Sequence, residues 1–243
     1  MTEPKLHHEW TVLPHGPLTQ LSGNLWRVEG SLPGMTLKRT MTVVRLSTGE
    51  LLLHSVIALS EPTMRELLTL GDVAYAVMPN AGHRLDAPAY RARFPRLRFF
   101  TPAGGIDDAR VAVPDVEPIG AMPPDPAARF ETLDGIKNAA EAAMIVPSSD
   151  GTTVVLCDTV HHMDPKNDLV GWVMTTMMGS VGPAHVSRAV KHWYVTDAAA
   201  FRAHLERLAR TPDLVRFIVN HEKVSVGAAA RADLERAAAT LAA

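Results

Sequence analysis

Between residues 25 and 101 the chain alternates short apolar runs with segments of helical spacing, and this rhythm restricts its fold more than any other feature. "LWRVEG" and "MTVVRL" read as strands, and "STGE" separates the second from "LLLHS". Apolar runs on either side of Thr48-Gly49 predict a hairpin of Met41–Leu46 with Glu50–Ser55. "SEPTMRELLTLG" carries the marks of a helix: Ser60 can cap it, Pro62 falls in its first turn, and Gly71 closes it. Met64, Leu67 and Leu68 give that helix an apolar stripe. The strand "VAYAVMP", a short helix near "APAYRARF" and a further strand "LRFFTP" follow. Strand-helix-strand-helix-strand order predicts a sheet with helices packed on it, an α/β (α+β) chain.

The second half repeats a strands-then-helices order. Residues 104–127, rich in Pro, Asp and Gly, read as a long surface excursion that covers the cleft. "AAMIVP" and "TTVVLCD" flank the turn "SSDG" as a second hairpin. "NDLVGWVMTTMMG" and "DAAAFRAHLERLAR" read as helices, the latter capped by Asp197 with Phe201, Leu205 and Leu208 as its buried stripe. The strand "LVRFIVN" and an Ala-rich helix complete the chain. The expected layout is an N-terminal extension over residues 1–20 and a single domain over 21–243.

Composition excludes several classes. Twenty-four basic and 26 acidic residues are interspersed for a net charge of −2, with no basic stripe for nucleic acid. Apolar runs fall short of the roughly 20 residues that span a bilayer, and "MTEPKLHHEW" is too polar for a secretory leader. One cysteine, Cys157, leaves no internal disulfide and no paired-cysteine metal site. No nucleophile elbow, phosphate loop or dinucleotide fingerprint occurs. A cytoplasmic protein acting on a small molecule is expected, and the methionine-rich "GWVMTTMMG" offers an adaptable surface for a homo-oligomer.

Eleven histidines are the compositional oddity. In "VAYAVMPNAGH" an apolar strand stops at Pro79, and Asn80 and His83 follow; the bland reading is a turn in which Asn80 bonds its own backbone. "CDTVHHMD" packs Asp158, His161, His162 and Asp164 into seven residues after a buried strand. Its bland reading leaves both histidines solvated and makes Asp164 the cap of the helix after Pro165. His54 ends "LLLHS", where a satisfied core residue is the ordinary case. His7, His8, His15 and His204 read as solvated, and His192 as packed with Trp193 and Tyr194. Strand alternation turns Cys157 away from Asp158, as a small buried hydrophobe.

Four stretches resemble the metallo-β-lactamase superfamily in order: "MTVVRLSTGELLLHSVIALSEPTMRELLTLGDVAYAVMPNAGH", "TTVVLCDT", "HWYVTDAAAFRAHLERL" and "VRFIVNHEKV". The resemblance covers about residues 20–240 and implies a four-layer αβ/βα sandwich with a metal site along one sheet edge. It also implies a divergent branch. Asn80, Gly82, Arg84 and Leu85 stand where the HxHxDH loop has His, His, Asp and His, and "IVPSS" stands for the mid-domain His. Asp158 and His221 match the family's ligand types. The implied site is one zinc (or iron or manganese) ion on Asp158, His221 and His83 or His161, with Asn80, His54 and His162 around it. Asp158 would hold or deprotonate a water that attacks an ester, thioester or similar bond. The alternative is a binding or scaffold protein on the same fold, its metal site lost.

Overall fold

The computed structural model describes residues 6–241. Residues 1–5 of the expected extension lie outside them. The first sheet begins with four antiparallel strands, β1 (Thr19–Ser22), β2 (Leu25–Leu32), β3 (Met35–Arg45) and β4 (Leu51–His54). Helices α1 (Glu61–Leu70), α2 (Ala87–Arg93) and α3 (Ile106–Ala112) then cross over to three parallel strands, β5 (Val73–Val77), β6 (Arg98–Thr101) and β7 (Glu117–Pro118). Strand order follows chain order. The expected hairpin and the first two crossovers are therefore present. The excursion at 104–127 is not all irregular: its first half holds α3 and its middle adds the edge strand β7.

The second sheet has the order β14-β13-β10-β9-β8. Its strands are β8 (Arg129–Thr132), β9 (Ala142–Ser148), β10 (Gly151–Leu156), β13 (Leu214–Val219) and β14 (Val224–Val226). Between β10 and β13 lie a ribbon of β11 (His161–Met163) and β12 (Gly182–His185) and three helices. These are α4 (Leu169–Met178), α5 (Arg188–Trp193) and α6 (Ala198–Ala209); α7 (Ala228–Ala239) ends the chain.

Side-chain alternation builds three apolar layers from these strands. Met41, Val43, Leu51 and Leu53 face out to α1 and α2 with Met64, Leu67 and Tyr90. Val154, Leu156, Phe217 and Val219 face out to Phe201, Leu205, Leu208 and Leu234 of α6 and α7. Val44, Leu52, Val77, Val155 and Ile218 meet between the sheets. The result is helices, sheet, sheet, helices, the expected sandwich.

Several local expectations fail for physical reasons. His204 is buried beside Asp134 and Arg207 at the start of the α6 packing, not solvated. His15 accepts the Ser60 amide and His7 meets Asp86, so the segment before β1 is stitched to the first layer, as is Trp10 through the Leu59 carbonyl. Asp164 pairs with Lys223, and Asp168 is the cap of α4, accepting the Gly171 amide at 2.7 Å. His192, Trp193 and Tyr194 are exposed. Among the described residues no helix is long and apolar enough to cross a membrane.

Candidate metal centre

β4 and β5 run parallel, as do β10 and β13, so the loops that leave all four emerge along one edge of the sandwich. Ser55 follows β4, Asn80 and His83 follow β5, Asp158 follows β10, and Asn220 and His221 follow β13. Ligand atoms of His83, Asp158 and His221 lie within 4.8 Å of one another. The Asp158 carboxylate sits between the imidazoles, with Oδ1 3.0 Å from His221 Nε2 and 3.2 Å from His83 Nε2. Asn80 donates to its other oxygen at 2.8 Å, while Asn80 Oδ1 accepts the Gly82 amide at 2.7 Å. The Pro79–His83 turn is thus both a side-chain-closed turn and an edge of the site.

Hydrogen bonding decides which histidine nitrogens face Asp158. His221 Nδ1 donates to the Lys38 carbonyl at 2.6 Å, which leaves Nε2 directed at the carboxylate. An unprotonated Nε2 beside a carboxylate is repelled, so the position calls for a positive charge: its own proton or a cation. Burial works to lower the His221 pKa, but the Asp158 hydrogen bond and charge outweigh it and raise the value. Burial likewise works to raise Asp158, and His83 and His221 hold it well below the usual carboxylate range. His83 Nδ1 lies 2.7 Å from Asn220 Nδ2 and 3.0 Å from Ser55 Oγ. Asn220 Oδ1 is buried without a hydrogen-bond partner among the described residues. A half-turn of that amide brings Oδ1 to His83 Nδ1–H and frees the Nε2 lone pair for an ion. The three residues therefore fit a cation, and two imidazoles with one carboxylate suit zinc or ferrous iron.

The surroundings hold this geometry rigidly. Glu141, buried immediately before β9, accepts the amides of Cys157 (2.8 Å), Asp158 (2.9 Å) and Thr159 (3.2 Å) and the Thr159 hydroxyl (2.6 Å). Burial, then the neighbouring Asp158 charge, push the Glu141 carboxyl up to about 7. Left-handed backbone occurs at Ser55 (φ 62°), which touches His83, at Glu222 (φ 76°), next to His221, and at Asn138 (φ 53°) in the cavity wall. Such strain persists where surrounding contacts over-determine the chain.

No family model and no curated protein sequence matches this chain. Solved structures do. The metallo-β-lactamase from Hirschia baltica superposes with a TM-score of 0.59 at 13% identity, over 93% of this chain and 98% of that one. The DIM-1 metallo-β-lactamase, in a crystal exposed to ceftazidime, gives 0.60 at 13% over 96% and 100%. The mono-zinc form of FIM-1 from Pseudomonas aeruginosa gives 0.55 at 12% over 95% and 96%. This chain has the metallo-β-lactamase fold.

Within this metallo-β-lactamase fold the expected site residues divide. His83, Asp158, His221 and Asn80 converge. His161 stands beside them: its ring is parallel to that of His221 with centroids 6.4 Å apart, its Nδ1 is buried without a hydrogen-bond partner among the described residues, and burial lowers its pKa to about 4. His161 lies outside the converging trio. His162, on the opposite face of β11, turns toward Asp233 at 3.5 Å. His54 is fully buried, yet neither ring nitrogen has a hydrogen-bond partner among the described residues, so it is core without being satisfied. Cys157 is buried but does not turn away from the site. β10 has ended at Leu156, alternation no longer applies, and Cys157 Sγ lies 3.3 Å from Asn80 Nδ2.

Ser55, Glu141 and Asn220 were not among the expected residues. Asn220 had a signal, an amide next to a strand-end His. Glu141 had none, because it binds backbone amides that no pattern of side chains reveals.

Proposed function

We propose that this protein is a hydrolase dependent on one divalent ion, zinc or ferrous iron, held by His83, Asp158 and His221. The observation that carries the reading is the His221 tautomer: Nδ1 committed to the Lys38 carbonyl, Nε2 aimed at a carboxylate that a second imidazole also faces. Held by His83, Asp158 and His221, an ion would supply Lewis-acid chemistry of the kind that serves ester or thioester hydrolysis. The chain supplies the rest. Asn80 fixes the Asp158 carboxylate and Glu141 fixes the Asp158 backbone amide, so the carboxylate is preorganised to hold and orient an attacking water. Ser55 and Asn220 fix the His83 ring. Neutral His161 presents a ring to the same cavity, where it can hydrogen-bond a substrate.

One observation favours a second reading, a binding protein without metal. Asp158 already closes onto both histidines, a cluster that stands by hydrogen bonds alone when His221 is protonated. Metal analysis and melting separate the two. Protein purified without chelators is expected to carry about one equivalent of metal. Saturation at a hundredfold excess over Kd adds about 2.7 kcal/mol, so chelation by EDTA lowers Tm by roughly 5–10 °C. His221→Ala is expected to remove both the metal and the EDTA effect. Metal-free protein whose Tm ignores EDTA and added zinc refutes the hydrolase reading.

A further inference from the structure

The floor of the cavity is polar, but its walls are not. The cavity measures about 640 Å³, within the range that encloses a ligand of some tens of atoms. Leu32, Met35 and Leu37 of the β2–β3 hairpin form one wall. Met174 and Met178 of α4 form a second, and Trp193 and Tyr194 at the end of α5 a third. The first two walls are tied together, since Asp168 at the α4 cap accepts the Thr36 amide at the hairpin tip at 3.0 Å. The expected cover, residues 104–127, contributes only its first part, through Gly104, Gly105 and Asp108.

Charge on the lining is mostly spent. Arg39 is paired with Asp86, and Asp108 with Arg84. Lys137 is the cation of the lining without an ion pair among the described residues. A polyanionic ligand has too few partners here. The rim continues the apolar character outward: of eleven exposed large hydrophobics among the described residues, seven lie at 169–177 and 193–194. Three of these seven, Met174, Trp193 and Tyr194, line the cavity itself, and elsewhere on the described surface such residues stand singly, so the concentration beside the cavity marks a ligand site. Methionines on two of the three walls let the lining adapt to chains of different shape.

We propose that the cavity seats a medium-chain apolar acyl group, and that the substrates are esters or thioesters of such acids with the carbonyl at the His83–Asp158–His221 floor. The proposal rests on the hydrolase reading for its chemistry and on the walls for its substrate class. In the reaction a water oxygen bonds to the acyl carbon and the acyl–oxygen or acyl–sulfur bond breaks. The leaving group takes one water proton, and the acid forms with the other.

The test measures binding of the product acids hexanoate, octanoate and decanoate to the full chain, by calorimetry in the presence of EDTA. Each added methylene is expected to tighten binding by up to about fourfold. Met174→Gln, in the wall, is expected to weaken decanoate about tenfold, while Met177→Gln, on the same helix but outside the cavity, leaves it unchanged. Equal affinity for all three acids overturns the proposal. Equal weakening by both variants also overturns it, by placing the ligand on the outer face of α4. So does sedimentation with phosphatidylcholine vesicles in the absence of decanoate binding, which assigns the rim to a membrane. EDTA keeps the measurement independent of metal: a chain-length gradient in a protein that hydrolyses no acyl ester sinks the hydrolase reading and leaves the acyl seat standing.

Discussion

Replacing His54 by Leu tests whether the layer between the sheets carries an uncharged, unpartnered imidazole. Alternation along β4 puts His54 on the same face as Leu52, in that layer, at 0% exposure. Burial first, and the nearby His83 second, lower its pKa from 6.5 to about 3. The unfolded chain takes up a proton below its ordinary value, whereas the folded chain refuses one until about 3. Stability is therefore full above the ordinary value and is lost as pH falls through that window. At 1.36 kcal/mol per pH unit, His54 costs the protein roughly 2 kcal/mol by about pH 5, and almost nothing near pH 7. Leu has no such proton. At neutral pH the substitution removes two buried, unpaired nitrogens, each costing ~1–3 kcal/mol, against up to ~1.5 kcal/mol of imperfect fit. The variant is expected to match or exceed the parent near pH 7 and to gain a further ~2 kcal/mol over it by about pH 5. Urea unfolding followed by tryptophan fluorescence at both values gives the difference of differences. Other titrating groups, His161 among them, are present in both proteins and cancel. An advantage that does not grow on acidification would falsify the argument, because His54 would then hold its proton or a partner in the folded state.

Glu141→Gln is expected to show the opposite pH trend. The Glu141 carboxyl lies at about 7 when folded against 4.5 ordinarily, so its proton adds stability that is complete below the lower value and gone above the upper; a parent-minus-variant curve from urea unfolding that rises with pH refutes this. Gly104→Ala places a Cβ 2.1 Å from the Asn138 carbonyl oxygen, and the turn at 137–139 must move. Overpacking of this kind costs about 1–3 kcal/mol, so calorimetry should show Tm lower by several degrees, and an unchanged Tm counts against the close approach. Asn220→Leu removes the group that sets the His83 tautomer and should weaken zinc 10–100-fold by competition with a chelator dye. Unaltered affinity would show that His83 is oriented by Ser55 alone.

Legibility in the sequence followed interaction range. The β2–β6 rhythm, the α1 stop at Gly71 and the Asp197 cap are written in neighbouring residues, and each is found where local spacing puts it. The long excursion was misread because α3 is one short helix among prolines and glycines, too brief for a clear period. Histidine environments fared worst. His7, His15 and His204 look like polar surface in the sequence, and each is partnered by a residue at least 45 positions away.

The sequence by itself determined the strands, the helices and their buried stripes, because alternation and helical periodicity are properties of a few consecutive residues, and it marked Asp158 as a carboxylate at the end of a buried strand; the layering and His221 came from the family resemblance. Tertiary structure alone decided which of eleven histidines meet Asp158. Two parallel strand pairs deliver their exits to one edge, and the Lys38 carbonyl, 183 residues from His221, turns that ring's free nitrogen inward. Hydrogen bonds over such separations depend on how whole sheets stack, and no window of sequence contains that information.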